Sequence, residues 1–466
     1  MTAMQPELLA RPQRGSAAAL VLVACGLLAS ALSVYAAARP SVAPLLNGYL
    51  CVDASSRLFL AFVNPIFLGI AVYVWSRLQV VPELGAEMKR FVPLAIVLLV
   101  ATNVVFLANK LYVMWIALEC TALAATLLIV RPHSPASRQA SFHYLLFSSV
   151  GLGLVLLGFT CLARSDGASG ELFISEMQSR ASGSADRWEK LGVALMLLGL
   201  GTKLGLAPMY SWLPEAYDEA PPAVTALLGA VQFNATLLMI FRVVEMVRPG
   251  CSQLVSSELM TMGVMSMLVS TFNIVAVRNV KRLVAYASIN HAGVIAIGLA
   301  IGDGASYGVL LYVLSNAFIK AILFLTCGKI KDHYRTKDTR KISGLLKDLP
   351  YSGLFLMIGT FALLGFPPFG SFFGELLILS ALVSSNHMFV FATFCVLITV
   401  TFVAPGITIF PMIWGEPQAH AAWPRQTLLS AWPKVVFLLA LVVLGVYIPQ
   451  SVNQLIREVA ASLGQQ

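Results

Sequence analysis

Apolar residues in this chain come in long unbroken runs, not in the alternation of half-buried strands or the narrow stripe of a surface helix. Each run is long enough to cross about 30 Å of hydrocarbon as a helix. They cover 17–38, 58–76, 91–108, 111–130, 141–163, 191–209, 222–244, 259–277, 283–301, 306–328, 352–366 with 370–384, 389–413 and 434–449. That pattern predicts about 13 membrane spans, or about 14 if the interrupted pair counts twice. Only helices and closed barrels satisfy their backbone in lipid, and continuous runs exclude the barrel. The expected fold is an all-α, polytopic membrane helix bundle, a single integral membrane domain over 1–466. The first run follows Arg11 and Arg14 but exceeds the length of a signal-peptide core, so it reads as a retained helix.

Between the spans the polar segments are short. The longest, about 164–190, mixes both charge signs and reads as a solvated loop with room for a short surface helix. The C-terminal "QSVNQLIREVAASLGQQ" reads as a short amphipathic tail.

Composition agrees with the pattern. Charged residues make up 11% of the chain and mean hydropathy is +0.82, against roughly 25% charged in soluble domains. The net charge of +9 is spread over loops, without the interleaved basic and aromatic patch of a nucleic-acid surface. Basic residues cluster at Arg11/Arg14, Arg77/Lys89/Arg90, Arg131/Arg138, Arg278/Lys281/Arg282 and along 329–347. An even number of spans separates each cluster from the next, so the positive-inside rule puts all of them in the cytoplasm. Seven cysteines lie scattered without a CxxC pair, and the six histidines show no ligand spacing. No GxGxxG or phosphate-binding loop occurs. The residues thus point away from iron–sulfur clusters, structural zinc and nucleotide hydrolysis, and no cofactor is expected in this chain.

Five ionisable residues fall inside the apolar runs: Glu119, Lys203, His291, Lys320 and Glu375. A charge at membrane depth costs about 2.5–3.5 kcal/mol on insertion scales, so these groups need partners or a task. Two of them sit beside helix breaks. The run carrying Lys203 is expected to break at Pro208 and Pro214, and the run carrying Glu375 at Pro367 and Pro368. Proline removes a backbone donor and clashes with the preceding turn. Within a membrane such breaks persist only where protein or water covers the freed groups. Paired interruptions in matching halves are the pattern of inverted-repeat transporters. A packing salt bridge between Glu119 and Lys203, with Lys320 snorkelling, would explain the charges but neither the breaks nor Glu375. An ion pathway explains all of them. Buried lysines and carboxylates can exchange protons near neutrality; closing a Glu119–Lys203 pair would hold the lysine charged and opening it would favour release. His291 reads equally well as a relay or as a satisfied core residue. Glu245 and Asp303 are expected at the interface, and Arg242 is expected to snorkel.

The segment "GTKLGLAPMYSWLPEAYDEAPPAVTALLGAV" (201–231) resembles the signature of the proton-pumping, antiporter-like membrane subunits of complex I. "MWIALECTALAATLLI" (114–129), "VKRLVAYASINHAGVIAIG" (280–298), "NAFIKAILFLTCG" (316–328) and "GFPPFGSFFGELLIL" (365–379) resemble further motifs of that family in the same order. The glutamate segment and Asn234 look most like component F of the membrane-bound hydrogenase 4. The resemblance implies two inverted five-helix repeats, roughly 91–245 and 255–413. It implies Glu119 and Lys203 as a coupling pair, Lys320 as the central relay and Glu375 as the terminal group, with Asn234, Asn316 and His291 ordering water. Asn234 stands where many respiratory members keep a lysine, and Asn316 where a histidine is usual; Tyr210 and Tyr217 hold positions often occupied by histidine. An asparagine can bind water but cannot hold a proton, so a water chain would have to bridge these points.

The function that this resemblance implies is proton translocation coupled to electron transfer in a hydrogenase-like or NADH:quinone oxidoreductase-like complex of a bacterial or archaeal cytoplasmic membrane. Its partners would be other membrane subunits and, through them, a soluble redox module. Cation/proton antiporters and bicarbonate-accumulating complexes use related subunits, so a transporter module outside redox chains stays open, as does a scaffold whose relay is idle.

Overall fold

A computed structural model of the chain describes residues 14–38, 42–81, 84–165, 172–179, 185–246, 249–417 and 428–463. Arg11, parts of the long polar insertion (166–171 and 180–184) and the end of the tail (464–466) lie outside the described residues, as do the side chains of Arg14 and Asp303.

Because lipid offers the backbone no partner but itself, the apolar runs become helices. In chain order these are α1 (Arg14–Ala37), α2 (Ala54–Val80), α3 (Gly85–Leu107), α4 (Leu111–Ile129), α5 (Pro135–Leu162), the short α6 (Ile174–Ser179), α7 (Arg187–Leu204), α8 (Trp212–Glu219), α9 (Pro222–Leu227), α10 (Phe233–Glu245) and α11 (Pro249–Ala276). They continue with α12 (Val280–Ile301), α13 (Asp303–Tyr334), a single turn α14 (Leu345–Asp348), α15 (Pro350–Leu363), α16 (Gly370–Ser384), α17 (Met388–Trp414), α18 (Leu428–Val446) and α19 (Gln450–Leu463). Strands β1 (Val42–Leu45) and β2 (Leu50–Val52) form a small antiparallel hairpin between α1 and α2. A π-helical turn, Leu228–Gln232, joins α9 to α10.

Among the described residues, ten helices are long and apolar enough to cross a bilayer. The three remaining apolar runs of the sequence are interrupted or charged. Helix α7 carries Arg187, Glu189, Lys190 and Lys203; α15 and α16 are halves of 14 and 15 residues; and α18 bends by 71° into α19. Counting unbroken helices therefore returns fewer spans than counting apolar runs. The outermost helices turn side chains such as Leu28 and Phe389 outward (63% and 82% exposed), whereas the central stretches of α9–α10 and α13 are surrounded by other helices.

Loop contacts sort into two ends. At one, Arg77 reaches Asp332 (2.5 Å), Lys337 reaches Glu219 and Asp218 (both 2.8 Å), and Arg282 reaches Asp218 (3.1 Å), with Arg131 paired to Glu219. The described basic loops thus gather on one side, as an even number of crossings between them requires. The opposite end joins Arg57 to Glu458 (2.6 Å) and Asn109 to Ser175 (3.1 Å).

Two expectations about the helix ends are corrected. The heads of Arg242 and Glu245 do not reach solvent at the helix end. Arg242 is 4% exposed, donates to Asp53 (2.8 Å) and lies 3.1 Å from Glu245. Ser55 and Ser462 donate to Glu245 at 3.1 and 3.0 Å, because α19 folds back over this end and closes the route to water. Lys281 is likewise no loop cation: it is 2% exposed and its Nζ donates to the carbonyls of Asp218 (3.1 Å) and Ala220 (2.8 Å) at the end of α8.

Small residues let backbones meet where the broken helices pack. A Cβ on Gly192 of α7 would sit 2.8 Å from the carbonyl of Gly158 on α5, and one on Gly374 of α16 would sit 2.7 Å from that of Gly308 on α13.

Candidate functional site

Both breaks follow one local plan. Gly205 (φ +90°) and Gly365 (φ +69°) end α7 and α15 in a left-handed conformation that glycine adopts without a Cβ clash. Three residues after each comes a proline, Pro208 and Pro368, preceded by a cis peptide bond. The backbone groups that each break frees are taken up inside the protein. Leu206 N–H returns to the Gly201 carbonyl (2.8 Å), Ala207 N–H donates to Ser266 Oγ (2.8 Å), and Trp212 Nε1 donates to the Thr202 carbonyl (2.9 Å). At the second break Phe366 N–H returns to Phe361 (3.0 Å) and Ser371 donates to the Ala362 carbonyl (2.8 Å). Pro214 differs from its expected role. It lies within the first turn of α8, where a missing N–H leaves no bond unmade, so the break belongs to Pro208.

Lys203 lies in the last turn of α7, 4% exposed, and its Nζ has no hydrogen-bond partner. It faces a cavity of about 10 Å³, lined also by Tyr144, Trp212, Tyr217, Gln232 and Phe233, which is at the threshold for one water molecule. Glu119 on α4 is the acid whose charge acts on Lys203, yet the two form no closed ion pair, and Glu119 Oε2 is buried without a partner. The packing salt bridge weighed from the sequence is therefore not what the structure holds.

Lys320 is fully buried at the centre of α13, and its Nζ lies 3.4 Å over the ring centroid of Phe233. Neither snorkelling nor a hydrogen bond accounts for it. Phe233 also lines the Lys203 cavity, so one ring borders both lysines. Asn234 donates to the Ala230 carbonyl (2.7 Å) and keeps its Oδ1 buried and unbonded; Asn316, one turn before Lys320 on α13, does the same with its own Oδ1. A further turn back, Tyr312 hydrogen-bonds His291 Nδ1. His291, Tyr312, Asn290 and Glu375 line one cavity of about 20 Å³. Glu375 also borders a wider cleft of about 270 Å³ with Gly365, Phe372, Ile398 and Phe402.

The structure thus brings Lys203 to Phe233 and Gln232, and His291 to Glu375, with Lys320 and the two asparagines between them. Sequence reasoning missed Tyr144, Gln232, Phe233 and Tyr312. Gln232 donates to Tyr144 (2.5 Å) and Thr121 (3.3 Å) from the π-helical turn. Such turns recur at functional sites, but no residue pattern in this segment announces one. Tyr312 was legible as the residue two turns before Lys320 on one helical face. Among the described residues no three His, Cys, Asp or Glu side chains converge as a metal would require.

A family model described as NADH:quinone oxidoreductase/Mrp antiporter, TM, matches residues 108–402. A hydrogenase-4 component F homolog from Methylacidiphilum infernorum is 28% identical over 422 residues, covering 87% of each chain. An NADH-quinone oxidoreductase subunit N from Hydrogenovibrio crunogenus is 26% identical over 345 residues, 72% of this chain and 71% of that one. The fold matches a chain of the membrane-bound sulfane sulfur reductase, an archaeal respiratory membrane complex, with a TM-score of 0.85 at 22% identity, covering 98% of this chain and 93% of that one.

Proposed function

The chain belongs to the NADH:quinone oxidoreductase/Mrp antiporter membrane family, and from that premise we propose that it moves protons through the buried file as a non-catalytic subunit of a larger complex. One observation carries the reading. Glu119, Lys203, Asn234, Lys320, Asn316 and Asn290 each keep a buried polar atom without a protein partner. Buried polar groups are nearly always bonded, and leaving one unmade costs about 1–3 kcal/mol, more for a charge. Six such atoms, on helices that surround one another, are what a file of exchangeable water and protons needs.

In this reading Glu119 and Lys203 form the coupling pair. Approach of the carboxylate favours the charged lysine, and its withdrawal releases the proton toward Gln232 and Asn234. Lys320 is the central relay, the Asn316, Tyr312 and His291 row passes the proton on, and Glu375 delivers it to the cleft beside Gly365. Charge movement past Phe233 sets the order of events, since that ring borders both lysines. The two halves of the pathway are proposed to be inverted repeats, roughly 91–245 and 255–413. The Gly-x-x-Pro break repeated once in each half supports this.

Proton uptake by the purified complex in vesicles, followed with a pH-sensitive dye, tests the relay. Lys203→Ala, Glu119→Gln and Lys320→Ala are each expected to abolish pumping while the subunits still co-purify. Wild-type pumping by these variants would make the file idle and the chain a scaffold. We further propose a redox-driven partner module in a bacterial or archaeal cytoplasmic membrane, a reading supported by the hydrogenase and quinone oxidoreductase relatives. The antiporter half of the family description supports a second reading, a cation/proton exchange module. Mass spectrometry of co-purifying subunits separates them: soluble redox subunits support the first, and their absence with transport intact supports the second.

A further inference from the structure

At the basic end a groove of about 320 Å³ runs between the last turn of α2, the start of α3, the end of α4 and the Pro221-Pro222 start of α9. It lies apart from the buried file and shares no residue with it. Its walls are apolar, with Val74, Leu78, Phe91 and Leu94 reaching below the helix ends, and it is rimmed by Arg77, Arg90 and Arg131. It is large enough for a small-molecule ligand, such sites spanning about 300–1,000 Å³. Leu127 in its wall is 48% exposed, so the groove opens sideways, toward the space that lipid fills.

We propose that this groove is a binding site for an anionic phospholipid, with the phosphate head at the three arginines and the first part of an acyl chain along the apolar wall. A guanidinium has five N–H donors and grips phosphate through two parallel bonds. Arg90 uses one nitrogen, donating to the Leu127 carbonyl (2.7 Å), and Arg131 uses one, paired with Glu219. Arg131 Nε, in the groove wall, is buried without a protein partner. Arg77 is anchored to Asp332 at 2.5 Å. These anchors aim the forks and leave donors over. Glu87 in the lining, Asp332 on Arg77 and Glu219 on Arg131 offset the three arginines, and Lys329 and Lys331, within electrostatic reach of Arg77 and Arg131, leave the rim positive. A free phosphate would gain nothing from the apolar wall, and a neutral apolar molecule would leave the arginine donors unmet. Basic pockets between helices at the cytoplasmic face are where anionic lipid heads bind.

The test is native mass spectrometry of the full-length protein, purified in mild detergent and supplied with phosphatidylglycerol or phosphatidylcholine of the same chain length. The wild type is expected to retain phosphatidylglycerol in preference, less so as salt rises. Arg90→Gln is expected to weaken retention by about 10-fold, the value of one lost charge-assisted hydrogen bond. Leu94→Trp, which fills the groove without touching a charge, is expected to weaken it similarly, and it keeps the test decisive if the arginine variant misfolds. Equal retention of the two lipids by the wild type overturns the proposal. So does unchanged retention in both variants, or the loss of a co-purifying subunit in place of lipid, which would make the groove a protein contact.

Discussion

Glu375 and Gly365 show how closely one residue's chemistry is tied to another's backbone. A Cβ at position 365 would lie 2.5 Å from Glu375 Oε2, so only glycine lets the carboxylate sit against the break. Gly365→Ala should therefore lose about 1–2 kcal/mol for the left-handed backbone and also displace the carboxylate. Gly302 offers the comparison: its φ is +78°, yet a Cβ there meets nothing within 4 Å. Thermal melting should fall for both Gly365→Ala and Gly302→Ala, the latter at φ +78° and ψ −128°, a backbone that also favours glycine, whereas proton uptake should fall only in the first. Equal uptake in both would remove Glu375 from the pathway. At this scale the sequence reading named Lys203, His291, Lys320 and Glu375 correctly as buried groups, with Glu119 only partly buried, but not their neighbours. Gln232 lies 111 positions from the Thr121 that it bonds, and no local pattern encodes such a meeting.

Between elements, the end of α8 is the joint that holds the first broken helix to the rest of the bundle. Asp218 takes Lys337 at 2.8 Å, Arg282 at 3.1 Å and Asn279 at 3.0 Å. Burial alone would push its carboxyl up, but the hydrogen bond and charge of Lys337, then Asn279 and Lys281, hold it below the usual range. The unfolded chain, with a pKa near 3.9, then takes up the proton first as pH falls. The stabilisation is complete above about pH 4–5 and disappears as pH drops below 4 through the lower folded value. Melting temperatures of the wild type and Asp218→Asn should differ most near pH 6 and converge toward pH 3. A constant difference would mean that Asp218 does not titrate with folding. Of this joint, the sequence showed the basic residues as loops; that Lys281 is buried and tied to α8 emerged only from packing.

Across the whole molecule, the charged ends and the apolar belt set the orientation. The 329–347 loop lies at the basic end and the β1–β2 hairpin at the other, with Leu46 72% exposed and the Arg340 side chain equally so. A cysteine at position 46 should react with a membrane-impermeant thiol reagent in right-side-out vesicles, and one at position 340 only in inverted vesicles; the reverse result would invert the positive-inside assignment. The sequence by itself determined the membrane bundle, the two breaks, the intramembrane charges and the family resemblance. Lipid imposes its demands residue by residue, so long apolar runs, prolines and buried charges can be read along one dimension. Tertiary structure alone decided that Glu119 and Lys203 stand apart, that Phe233 borders both lysines, and that Arg242 and Glu245 are sealed beneath α19. Those outcomes depend on distances between helices far apart in the chain, and in a low-dielectric interior a change of a few ångströms decides whether two charges pair or stay poised to exchange.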